Sequence, residues 1–345
     1  MRVLVTGSQG YIGSVLAPFL VSQGHDVTGL DSDLYERCSY GDFLQNVPFI
    51  RKDIRDVLHS DLEGFDAVIH LAALSNDPLS DLNPDLTYEI NHRASVRLAK
   101  LAKEAGVSRF LFSSSCSTYG AAGDDMLSEE AELNPVTPYG TTKVLVERDV
   151  SGLADSRFTP CYLRNATAYG VSSRMRFDIV LNNLVAWAYT KGLVYLKSDG
   201  TPWRPIVHIE DISRAFLAVL NAPVQVVWNQ SFNIGINTEN YRIRELAEIV
   251  RETVPGSRVE YAEDAGPDKR CYRVDFSKYE RSFPDYLLQW NARRGARELY
   301  ESYLRHGFQQ EEFEGPRYKR IDHIKELLAT GRLDATLRWN GNVAT

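Results

Sequence analysis

Tyr139 and Lys143 stand four positions apart in Tyr139-Gly140-Thr141-Thr142-Lys143. On a helix such a pair shares one face. An ammonium beside a phenol favours the phenolate, so the tyrosine can take a proton near neutral pH. The same lysine can hydrogen-bond a ribose. Pro138, directly before the tyrosine, suits a helical first turn. A second chemical signal is the hydroxyl run Ser113-Ser114-Ser115-Cys116-Ser117-Thr118-Tyr119-Gly120 after an apolar stretch at 110–112. A hydroxyl at the C-terminal end of a parallel strand sits where α/β sheets bind ligands, in reach of an oxygen undergoing oxidation.

The third signal is Thr6-Gly7-Ser8-Gln9-Gly10-Tyr11-Ile12-Gly13, a GxxGxxG spacing between an apolar strand and a helix. Glycines permit a tight turn and close approach of a pyrophosphate, and the helix N-terminus supplies N–H groups. Gly7, Gly10, Tyr11, Ile12 and Gly13 are the candidate contacts. Asp31 follows the second strand, 18 residues beyond Gly13. A carboxylate there accepts from ribose hydroxyls and repels a 2′-phosphate; with Ser32 rather than arginine after it, NAD is expected over NADP. Asp53 and Ile54 follow the third strand, where an acid can meet the adenine amino group or cap a helix. Leu71-Ala72-Ala73 ends the fourth strand with small residues against which the cofactor can lie.

These residues need a scaffold. Strands at 2–5, 25–30, 67–71 and 110–112 alternate with helices at 11–23 and 85–105, which implies a parallel sheet covered on both faces. Later elements are helices at 177–191, 209–220, 243–253 and 293–305, with a short strand at 232–235. The expected fold is α/β: a Rossmann-type doubly wound parallel sheet with a smaller, interleaved C-terminal substrate lobe. Residues 1–165 are expected to form the NAD domain, with segments near 205–235 returning to it. Residues 166–345 would form mainly the substrate lobe, and the stretch beyond about 305 receives no role.

Composition excludes other classes. Of 345 residues, 43% are hydrophobic and 25% charged, which is ordinary for a globular chain. A net charge of −7 without a basic block argues against nucleic acid. No apolar run reaches the roughly 18 residues of a membrane span. Cys38, Cys116, Cys161 and Cys271 have no CxxC spacing, so neither a metal site nor a disulfide framework is expected. The N-terminus opens on a strand rather than a signal peptide, and a cytoplasmic location follows as the expectation.

The motifs TGSQGYIG, VIHLAA, SSSCSTYG, PYGTTK, LRNATAYG, NNL, RPIVHIEDI and FNIG occur in this order over residues 1 to about 280. Together they resemble the extended short-chain dehydrogenase/reductase family, in its nucleotide-sugar epimerase/dehydratase branch. The resemblance implies Tyr139 as base, Lys143 as its partner and Ser115 as hydroxyl donor. It also implies a nucleotide-diphosphate sugar as substrate and a homodimer packed through the helices at 85–105 and 139–143.

Dehydratases of that family carry an Asp-Glu pair after the serine, and sugar-acid decarboxylases usually Glu; here Cys116 and Ser117 stand there. Without that carboxylate a 4,6-elimination lacks its second acid/base. The expected chemistry therefore resembles that of UDP-sugar 4-epimerases. A 4-dehydrogenase or 4-ketoreductase is the alternative, and a non-catalytic NAD-binding regulator a third reading. Candidate substrate contacts are Ser117, Thr167, Asn183, Arg204 and Arg270. Thr167 stands where the family usually has the asparagine of RxxNxYG. Pro205 replaces the usual Asp, and the family's second phosphate arginine is missing, with Arg270 or Arg273 as the candidates to replace it.

Overall fold

The structure is a computed structural model describing residues 1–41, 47–75, 77–120, 125–266 and 271–341. A seven-stranded sheet forms its centre. In spatial order the strands are Gln230–Ile234, Thr159–Asn165, Arg109–Ser115, Ala67–His70, Arg2–Thr6, Asp26–Asp31 and Phe49–Arg51. All neighbours pair parallel. The order reverses at Arg2–Thr6, which makes the C-terminal ends of Arg2–Thr6 and Ala67–His70 the crevice where such sheets take ligands. The central strands read as continuous apolar runs because both faces are covered: Val3, Leu4, Val5, Ala67, Val68 and Ile69 are fully buried.

The rest of the chain departs from the main sheet. Of the stretch 205–235, Gln230–Ile234 joins it, whereas Trp203–His208 pairs with Thr167–Tyr169 and Asn240–Arg242 in a separate three-stranded sheet. A further pair, Leu193–Ser198 with Arg258–Gly266, packs beside the helices Val180–Lys191 and Ile243–Thr253. Among the described residues, no helix is long and apolar enough to cross a membrane.

Two expected helices are redrawn. The single helix at 85–105 is instead a series: Asp77–Leu82, Pro84–Tyr88, a π turn at Glu89–Arg93, and Ala94–Glu104. The break has a local cause. Asn83 caps the new start by accepting from the Leu86 amide, and Pro84 takes the first turn, where its missing N–H costs nothing. The helix expected from 177 begins at Val180, because Ile179 is extended and the Asn183 side chain donates back to the Phe177 carbonyl.

The stretch beyond 305, to which the sequence alone assigns no role, folds back over both lobes. Phe308, Phe313 and Tyr318 pack into the aromatic cluster of Tyr40, Phe177 and Tyr303. Ile324, Leu327, Leu333 and Leu337 pack with Leu30, Ile54 and Leu74 against the main sheet.

Candidate active site

A cleft of about 830 Å³ opens above the strand ends at the sheet's reversal point. The glycine loop forms its floor. Gly7 has φ +75°, and a Cβ there would stand 2.7 Å from the Ala72 amide; one on Gly13 would stand 2.1 Å from the Gly7 carbonyl oxygen. Only glycine lets this loop fold onto the end of the fourth strand. The helix Gly13–Ser22 has no side-chain cap; the amides of Ser14 and Val15 donate to the Gly10 and Ile12 carbonyls, and the positive end of the helix, at Ile12 and Gly13, lines the cleft where an anion would sit.

Asp31 is half-buried at the end of its strand and accepts from the amides of Gln9 (2.9 Å) and Asp33 (2.7 Å). Burial pushes its carboxyl up to about 6, against the pull of those amides. Asp53 caps a short turn by accepting from the Arg55 amide, and it also pairs with the Arg55 guanidinium at 2.6 Å. The helix-cap reading is the one seen, and Asp53 also lines the cleft. Ile54, Leu71, Ala72, Ala73, Gly10, Tyr11 and Ile12 complete this wall. The Tyr11 hydroxyl donates to the Gly170 carbonyl and accepts from Asn182, tying the glycine loop to the second lobe. An uncapped helix start, a half-buried carboxylate and small residues at the strand end fit a dinucleotide.

The helix Pro138–Ser151 carries Tyr139 and Lys143 on the face toward the cleft. Thr137 caps it by accepting from the Gly140 amide. Gly140 lets it sit against the turn Cys116–Tyr119: a Cβ there would stand 3.1 Å from the Ser117 carbonyl. The turn's serines meet the tyrosine side of the cleft. Ser115 Oγ accepts from the Ser117 hydroxyl at 2.9 Å and from the Ser117 amide at 3.1 Å. Lys143 is buried and donates to the Ser113 carbonyl at 2.6 Å. Burial brings its ammonium down to about 7, with Glu147 opposing that shift. Glu147 braces the helix from behind by accepting from Ser114 and from Arg164, the latter at 2.7 Å.

Cys116 is fully buried, off the cleft wall, and its thiol donates to the Arg164 carbonyl. It packs rather than reacts. The opposite wall is built from dispersed segments. Thr167, Asn183 and Arg204 line it, and Ser117 lines the cleft from the tyrosine side. Arg204 is 7% exposed, with its guanidinium donating to the Trp203 carbonyl and lying 5.7 Å from the Tyr272 ring centroid. Arg270 lies outside the described residues.

Sequence reasoning missed several wall residues: Arg176, Tyr195, Lys197, Tyr272 and, from the C-terminal stretch, Phe313 and Arg320. Arg174-Met175-Arg176 carried a signal, two arginines flanking an apolar residue in a non-helical stretch. Arg174 is spent on structure, donating to the Gln9 carbonyl and lying 3.5 Å from Asp33, whereas Arg176 pairs with Asp178 at 2.7 Å on the cleft wall. Among the described residues, no group of three or more His, Cys, Asp or Glu could hold a metal.

Residues 3–235 match the NAD dependent epimerase/dehydratase family. A curated relative, UDP-glucose 4-epimerase of Neisseria meningitidis serogroup C, is 29% identical over 87% of this chain and 95% of its own. Among solved structures, MoeE5 in complex with UDP-glucuronic acid and NAD is similar with a TM-score of 0.77 and 28% identity, covering 88% of this chain and 99% of that one. UDP-glucuronic acid 4-epimerase from Bacillus cereus, at 24% identity and a TM-score of 0.74 over 88% of this chain and 99% of its own, shares the fold. The chain therefore belongs to the NAD-dependent epimerase/dehydratase family and is an NAD-dependent enzyme.

Proposed function

We propose that this enzyme is a nucleotide-sugar 4-epimerase that favours UDP-sugars and works through a transient 4-keto sugar. The observation that carries this reading is the turn beside Tyr139. It offers the hydroxyls of Ser115 and Ser117 and no carboxylate, and its cysteine is buried. One proton acceptor and one hydride carrier suffice for 4-epimerisation, whereas elimination needs a second acid/base.

Tyr139 removes the C4 hydroxyl proton, and Ser115 hydrogen-bonds the same oxygen. Lys143, fixed by the Ser113 carbonyl, steadies the phenolate and the ribose. NAD held by the glycine loop and Asp31 would supply the acceptor for the C4 hydride and its return to the opposite face, while Tyr139 gives its proton back to the same oxygen. Arg204 pairs with the diphosphate, and Thr167 and Asn183 bound the sugar's side of the cleft. Relatives named for UDP-glucose and a neighbour solved with UDP-glucuronic acid support a UDP-sugar.

The test is turnover of UDP-glucose, UDP-glucuronic acid and their 4-epimers without added cofactor. The reading requires interconversion of one pair with no net NADH. Stoichiometric NADH release would instead assign a 4-dehydrogenase. We also propose a cytoplasmic homodimer. The helices Ala94–Glu104 and Pro138–Ser151 would meet their symmetry mates, and the hydrogen bond between His92 and Asp149 at 2.7 Å joins the segments carrying them. Gel filtration at monomer mass would overturn the dimer.

A further inference from the structure

Residues 308–341 hold the loop that follows Asp31 by three of its carbonyls. Trp339 donates its indole N–H to Ser32 at 2.7 Å, His323 donates to Leu34 at 3.1 Å, and Arg317 donates to Ser39 at 3.1 Å. Arg332 pairs with Glu36, and Arg338 with Asp56. Arg51 lies 5.2 Å from the Trp339 ring centroid. The apolar underside is continuous with the core through Ile324, Leu327, Leu333 and Leu337. A segment anchored at so many points is part of the fold, and its inner edge forms part of the cleft wall through Phe313, Arg320 and Leu337.

Arg320 is the unusual member of this edge. It is only 8% exposed. Its guanidinium lies 4.2 Å from the Tyr35 ring centroid, and its charge reaches Asp31 and Arg176. Among the described residues no carboxylate forms an ion pair with it; the nearby Asp178 is held by Arg176. Burial lowers its affinity for its proton. A buried cation without a counter-ion is costly, and proteins keep one where a ligand supplies the missing charge. Arg320 lines the same cleft as the helix start at Gly13, the carboxylate of Asp31 and the cation Arg176, and the group of matching charge for such a lining is a dinucleotide's diphosphate.

We propose that residues 308–341 form a built-in clasp on the adenosine half of NAD, with Arg320 as a cationic ligand of the cofactor's diphosphate. Leu337 and Tyr35 close the adenosine end, and the anchors on Ser32, Leu34 and Ser39 keep the loop after Asp31 in its binding shape. The clasp makes the cofactor a resident group that exchanges slowly. An enzyme that regenerates its NAD within each turnover has no need to release it. The clasp stands on the cofactor site alone, so its test is independent of which sugar is turned over.

The experiment measures the dissociation rate of bound NAD by exchange with deuterated NAD, together with melting temperature with and without NAD. Arg320→Met keeps the length and removes the charge. It is expected to release NAD about ten- to a hundredfold faster, the scale of one charge-assisted hydrogen bond. Without NAD the variant is expected to melt no lower than the parent, because an unpaired buried charge is gone, while the melting shift on adding NAD shrinks. Arg320→Lys should recover part of the affinity. Trp339→Ala, away from the cleft, loosens the anchor and should also speed release. The proposal is overturned if neither Arg320→Met nor Trp339→Ala changes NAD release. It is equally overturned if Arg320→Met leaves NAD untouched and alters only NADP binding, which would assign the cation to a 2′-phosphate.

Discussion

The two halves of the cleft are built in opposite ways. The cofactor half is made by backbone: a glycine loop pressed onto Ala72, an uncapped helix start, and Asp31 at a strand end. Its residues come from short stretches in a fixed order, because strand, turn and helix must succeed one another directly. The other half, where we place the sugar, is made by side chains from scattered segments: Thr167, Asn183, Tyr195, Arg204 and Tyr272. Nothing local holds those residues to one identity. A backbone-built site constrains the ligand's class, whereas a side-chain-built one sets which member of the class fits.

Tyr139 stands on the seam between the halves, and its substitution carries the largest expected effect. Tyr139→Phe should lower kcat by about 10³-fold, within the range for a positioned acid/base. NAD content and melting temperature should be those of the parent. Loss of NAD as well would break the division between chemistry and cofactor binding.

Lys143→Met should lower kcat by about 10²-fold, and its stability carries a signed pH test. The folded state holds Lys143 near 7, below the unfolded value of 10.5. Between these values the unfolded chain binds more protons, so the parent's stability rises with pH across that window. The methionine variant lacks this term. It should melt higher than the parent at pH 7 in the absence of NAD, with the gap closing toward pH 10. A pH-independent gap would contradict a charge buried at cost.

Arg204→Ala should raise KM for the nucleotide sugar about tenfold or more, the loss of a charge-assisted pair, with NAD release unchanged. An effect on NAD would mean that the two halves are coupled.

Asp31→Asn has the smallest expected effect, on the cofactor half alone. Because burial holds the Asp31 carboxyl near 6, protonation below that pH removes an acceptor for the ribose. NAD binding should weaken about three- to tenfold from pH 7 to pH 5, and the asparagine variant should lack that dependence. In the same window the raised folded value favours the protonated folded chain, so this group's contribution to stability is fully present below 3.8 and is lost as pH rises through 6.

Legibility followed the same division. Gly7, Gly10 and Gly13, the parallel order and the Tyr139–Lys143 face were readable because each is a local consequence of spacing. Arg176 and Tyr195 were not, because only tertiary packing brings them to the cleft. The break at Asn83-Pro84 had a visible cap and proline, yet the apolar periodicity continued through it and concealed the change of axis. Arg320 was hidden for another reason. Its segment reads only as a charged stretch, and its apolar residues at Ile324, Leu327, Leu333 and Leu337 meet their partners roughly 250 or more positions earlier in the chain.

The central claim is that one hydride leaves C4 and returns to the same carbon. It is tested most directly with UDP-glucose and UDP-glucuronic acid deuterated at C4, incubated with the enzyme and its own bound NAD and read by mass spectrometry and NMR. The account predicts a 4-epimer that keeps its deuterium at C4, with no NADH accumulating. Deuterium recovered in released NADH, or exchanged into water, would contradict it.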